Sequence, residues 1–108
     1  MQYTYLMRIE IKANAQEHGI EGSEIRTVVS YPALEIPIAA RRPGAELVLY
    51  IGPASDNEPY IEVIADLADA GMAIVFHAMM LRRQLVANLG LTDLLPTNIY
   101  GPQRPQRK

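Results

Sequence analysis

The sequence predicts an α+β fold: a twisted antiparallel sheet with two short helices before it and one after it. Three observations carry this expectation. Residues 3–11, YTYLMRIEI, alternate so that Tyr3, Tyr5, Met7, Ile9 and Ile11 share one face of a strand. Four further apolar runs, at 34–39, 46–51, 60–67 and 72–78, are separated only by RRPG, GPASDNE and ADAG, each rich in turn-formers. The segments flanking these runs carry a helical period instead.

Taken in order, the N-terminal strand gives way to KANAQEHG, which suits a short helix with His18 in its last turn and Gly19 just beyond it. Ser23 is the expected N-cap of a second helix. Glu24 complements its dipole, Ile25, Val28 and Val29 form its apolar stripe, and Pro32 ends it. The four runs then form a meander, because connections this short favour antiparallel neighbours. Pro37 places its strand at an edge, since proline donates nothing to a ladder. A last helix is expected over 80–88, closed by Gly90. Residues 1–95 make one α+β domain, and 96–108, with prolines, glycine and arginines, read as a flexible basic tail.

Bulk properties narrow the function. The chain has 108 residues, 49% of them apolar and 20% charged, which is globular composition for one domain. Without cysteine it has neither disulfides nor thiolate metal sites, and two distant histidines argue against zinc. The longest apolar run, 72–81, is too short to span a bilayer, and the N-terminus lacks a signal-peptide pattern. A cytoplasmic protein with no cofactor, no metal and no membrane partner is the expectation. The net charge of −2 excludes a uniformly basic surface, yet Arg41-Arg42, Arg82-Arg83 and the tail arginines can form local basic patches.

The chemistry candidates centre on AIVFHAMMLRR, residues 73–83. If Asp69 and Ala70 form a two-residue hairpin tip, Glu62 stands opposite His77, Ile64 opposite Val75 and Tyr60 opposite Met79. A carboxylate beside an imidazole holds its tautomer and suits it to acid–base work. Arg82, just past the strand, is placed to hold a phosphate. The competing reading is an interior histidine that is merely hydrogen-bonded. His18 likewise reads either as a cap for helix carbonyls or as a second imidazole near His77. Arg41 and Arg42, in a hairpin loop, read as solvated charges or, with Tyr50 and Tyr60 nearby, as RNA contacts. Met79-Met80 reads as adaptable core or contact surface.

The order NAQEHGI, SEIRTVVSYP, VLYIGP, PYIEVI and VFHAMMLRRQL resembles the BrnT-like group of small bacterial toxins, related in fold to the RelE/ParE type. HAMMLRR is similar to members with a His-Ala-Met strand end. The matching positions are Asn14, His18, Gly19, Ile51, Gly52, Ala78 and the Arg82-Arg83 pair. Two positions depart: Glu17 stands where the group has a basic residue, and Met79 where its strand ends in arginine. The resemblance implies the toxin of a type II toxin–antitoxin system, a metal-independent endoribonuclease held by an antitoxin protein. On that reading His77, Glu62 and His18 are catalytic, and Arg82, Arg83, Arg41 and Arg42 bind RNA phosphates. The alternative is a catalytically inactive binding or oligomerisation module of the same fold, docking a partner or forming a homodimer.

Overall fold

A computed structural model describes residues 8–69 and 71–106. Five strands form one mixed sheet: β1 (Arg8–Ile11), β2 (Leu34–Ile38), β3 (Leu47–Pro53), β4 (Tyr60–Asp66) and β5 (Met72–Met80), in the spatial order β1-β5-β4-β3-β2. The helices are α1 (Gly22–Ser30) and α2 (Arg83–Asn88), with 3-10 turns at Ala13–Gln16 and Thr92–Leu94. The class is α+β, as expected, and β2 with Pro37 is an edge strand. Among the described residues no helix is long and apolar enough to cross a membrane.

The meander β2–β5 is antiparallel throughout, but β1 runs parallel to β5, with Arg8 opposite Met72 and Ile11 opposite Val75. The sheet is therefore not purely antiparallel. After β1 the chain passes through the first 3-10 turn and α1 to the far edge at β2, so β1 and β5 are joined through the whole meander and not by a hairpin, as a parallel pair requires. Of the expected N-terminal strand, Tyr3, Tyr5 and Met7 lie outside the described residues.

The first expected helix is only a 3-10 turn, so His18 lies beyond its end, and Gly19 (φ 82°) reverses the chain. The N-cap of α1 is Glu21, not Ser23: Glu21 and Glu24 exchange backbone and side-chain bonds in a capping box. α1 buries Ile25, Val28 and Val29 against β3 and β4. The last helix starts at Arg83, three residues late, because β5 continues to Met80 opposite Ile61 and Arg82 is still extended.

Two apolar layers result, one on each face of the sheet. Under α1 and the first 3-10 turn lie Tyr50, Val63, Ala65, Val75 and Ala78. The opposite face packs Leu49 and Ile51 against Leu81, Val86, Leu91 and Ile99. Ile99 belongs to the segment expected as a flexible tail. Its carbonyl accepts the Tyr60 N–H at 2.8 Å, and Gln103 Nε2 donates to the Met80 carbonyl at 2.8 Å. Residues 96–106 thus lie against the body, tied by buried apolar contact and backbone hydrogen bonds.

Candidate functional site

The hairpin joining β4 to β5 sets the site. Its turn is longer than the expected two-residue tip. Met72 N–H donates to the Asp69 carbonyl at 3.1 Å, and Gly71 takes φ 77°. The register consequently differs from the expected one: Ile64 faces His77, and Glu62 faces Met79. Between them the register shifts, Ala65 pairing with Val75, so that Phe76 is an inserted bulge residue. The displacement at Glu62 is two positions, an even number, so its side chain stays on the face of His77. A diagonal neighbour is within reach of long side chains. His77 Nε2 lies 2.8 Å from Glu62 Oε2.

Glu62 is fully buried, yet its carboxylate is well satisfied. It accepts the Arg82 backbone N–H at 2.9 Å, Arg82 Nε at 3.2 Å and Arg82 Nη2 at 2.7 Å, besides the His77 contact. Burial alone drives the carboxyl pKa up. The hydrogen bonds from His77 and Arg82, with the guanidinium charge, outweigh burial and hold it below the usual carboxylate range. Glu62 is therefore ionised at neutral pH and can only accept, so the shared proton sits on His77 Nε2. Nδ1 is left as the acceptor of the neutral ring, and the His77 side chain is 23% exposed.

His18 comes to the same place. Its ring centroid stands 6.1 Å from that of His77, edge to face, with 63° between the planes. Of the two readings of His18, the structure favours proximity to His77. Its turn is clamped from outside by the C-terminal segment: Arg104 Nη1 donates to the Gly19 carbonyl at 3.2 Å and to Glu24 Oε1 at 2.6 Å, while Nη2 reaches Glu24 Oε2 at 2.9 Å. A Cβ on Gly19 would meet Arg104 Cβ and the Pro105 carbonyl, each at 3.0 Å, so a side chain there presses on the clamp, and the φ of 82° adds backbone strain.

The arginines divide. Arg82 spends Nε and Nη2 on Glu62 and is first of all a carboxylate clamp; Nη1 has no hydrogen bond among the described residues, and the side chain is 44% exposed. Arg83 stacks over Tyr100, 4.2 Å from the ring centroid. Arg41 and Arg42 are exposed in the β2–β3 loop and line a groove with Phe76, Ile74 and Ile64, apart from the Glu62 carboxylate. Met79, partly buried, lies opposite Glu62, and Glu17 is exposed at the end of the 3-10 turn.

Sequence reasoning missed Arg104 and Tyr100. Arg104 acts on residues 80 and 85 positions away, and nothing local in QRPQRK marks it for that contact. For Tyr100 the proline and glycine around it masked an aromatic anchor.

The assembled elements are one buried carboxylate, one oriented imidazole, a second imidazole at its edge and the Arg82 guanidinium on the carboxylate. They supply a proton acceptor, a proton donor and positive charge without a metal. The chain matches no family model, no curated protein and no solved structure.

Proposed function

We propose that the protein is a metal-independent endoribonuclease, the toxin of a toxin–antitoxin pair, with His77 and His18 as its acid–base couple. The observation that carries this reading is the pairing of two imidazoles 6.1 Å apart, one of them oriented by a buried carboxylate. The motif resemblance, from the His18-Gly19 turn to the Arg82-Arg83 pair, supports it independently.

The chemistry runs on groups with assigned roles. His77 Nδ1 removes the proton of a ribose 2′-hydroxyl. The 2′-oxygen bonds to phosphorus, the bond from phosphorus to the 5′-oxygen breaks, and protonated His18 gives that oxygen its proton. The products are a 2′,3′-cyclic phosphate and a 5′-hydroxyl. Glu62 stabilises the imidazolium formed on His77. Arg82 Nη1 and Arg83 meet the charge on the phosphate oxygens. The two oxygens served by the couple belong to one phosphorus, which matches imidazoles at this spacing.

Induced expression followed by total-RNA analysis tests the reading. Wild type is expected to arrest growth and degrade RNA, and purified protein to leave cyclic-phosphate ends without added metal. His77→Ala and His18→Ala should each lower cleavage by about a hundredfold or more. Cleavage that survives both substitutions overturns the assignment. A chain that never cleaves RNA leaves the inactive binding module as the better reading.

A further inference from the structure

The face of the sheet that carries Glu62 is covered over only part of its length. α2 and the C-terminal segment lie over Leu49 and Ile51. Toward the β2–β3 loop, Ile38, Leu47, Ile64, Ile74 and Phe76 line an open groove of about 830 Å³. All five side chains are only partly buried. The volume falls within the range of small-molecule sites, which are mostly apolar with a few placed polar groups.

The polar groups here are mainly positive. Lys12, Arg41 and Arg42 stand exposed around the groove, and Lys12 already pairs with Glu10 at 3.4 Å. The one carboxylate of the lining, Asp66, is engaged by the backbone N–H groups of Glu46 at 3.1 Å and Ala68 at 2.9 Å. Arg41 makes no hydrogen bond or ion pair among the described residues, and Arg42 has only the longer-range attraction of Asp66. Two guanidiniums thus stand at one end of an aliphatic trough. A nucleic-acid strand is the poorer fit, because single-strand sites stack bases on aromatic platforms and only Phe76 offers one. A second copy docking the same face would bring a second positive rim against the first.

We propose that this groove binds a free single-chain carboxylate of the fatty-acid class, its head on Arg41 and Arg42 and its alkyl body along Ile38, Leu47, Ile64 and Ile74. The guanidinium fork matches a carboxylate in charge and geometry. The aliphatic floor provides apolar contact along the chain. This proposal stands apart from RNA cleavage and needs none of the groups at His77.

Full-length protein with labelled isoleucine methyls, titrated with decanoate and dodecanoate below their micellar concentrations, provides the test. Saturable shifts are expected at Ile38, Ile64 and Ile74, with Ile25 under α1 unmoved. Two added methylenes should tighten binding roughly tenfold. The Arg41→Gln/Arg42→Gln double variant, altered only in an exposed loop, should bind about tenfold more weakly or worse. Absence of shifts overturns the proposal, as does equal binding of dodecyltrimethylammonium. So do tighter competition at the same methyls by a short RNA, and capture by phosphatidylglycerol vesicles without binding of free dodecanoate.

Discussion

The two faces of the sheet are built from the same strands and bury similar aliphatic side chains, but they treat charge in opposite ways. Under α1 the buried side chains among the described residues are apolar but for the Tyr50 hydroxyl, which burial pushes up to about 12. The opposite face encloses the Glu62 carboxylate and surrounds it with an imidazole and a guanidinium. Apolar contact alone would have closed that face more cheaply, since a buried ion cluster seldom outperforms well-packed hydrocarbon. The difference teaches that both faces hold the fold by apolar contact, while one of them also gives up stability at Glu62 to hold charged groups in place.

The sharpest way to test the first half of this contrast is to cut into the apolar face. Ile25→Ala removes a fully buried side chain and should cost about 3–4 kcal/mol, read from denaturant midpoints. Arg82→Ala attacks the other face by leaving Glu62 buried with only His77 and one backbone N–H. About 2–3 kcal/mol is expected to be lost at pH 7, and the Glu62 pKa, followed by carboxyl NMR, should rise. Replacing the whole cluster breaks the contrast outright. Glu62→Leu with His77→Leu and Arg82→Leu makes the second face resemble the first, and should leave stability unchanged or raised by about 1–2 kcal/mol while abolishing the proposed RNA cleavage.

The pH dependence should also differ between the faces. Glu62 has a lowered pKa in the folded state, so its contribution is present above the ordinary carboxylate pKa and is lost as acid takes the pH down through the folded value. Tyr50 is pushed up to about 12 by burial and then by Glu35, so its contribution is present below the ordinary tyrosine pKa and is lost as pH rises through that value. Acid unfolding should therefore shift to a different pH in Glu62→Gln, and alkaline unfolding to higher pH in Tyr50→Phe. Circular dichroism along each limb checks both. The smallest effect is expected from Arg104→Gln. Its partly exposed ion pair with Glu24 is worth at most about 1 kcal/mol, but the nuclear Overhauser contact between the His18 and His77 rings should weaken.

Much of the fold was legible because its signals are local. Period-two runs broken by turn residues located β2 to β5 to within about two residues at most ends, and Pro37 marked the edge. The parallel partnership of β1 with β5 was not legible, since pairing across 60 residues or so leaves no trace in periodicity. Contact between Glu62 and His77 was anticipated from a register that proved wrong by two positions. It held because an even shift preserves the face, while the Phe76 bulge and the positive φ of Gly71 had no distinct signature. Arg82 was expected to face a phosphate. Instead a buried carboxylate takes its Nε and Nη2, a contact that no local pattern marks.

The Arg104 clamp bears on when the site comes into being as well as where it lies. The Glu62–His77–Arg82 cluster needs little beyond the β4–β5 hairpin, a contact made across 15 to 20 residues. The turn bearing His18 is pinned by a side chain 80 residues from Glu24, and long-range closures of this kind are late events in folding. The Glu62–His77 contact therefore closes a short loop of chain, whereas the clamp on the His18 turn closes a long one, so the two imidazoles are held by contacts of very different loop-closure cost.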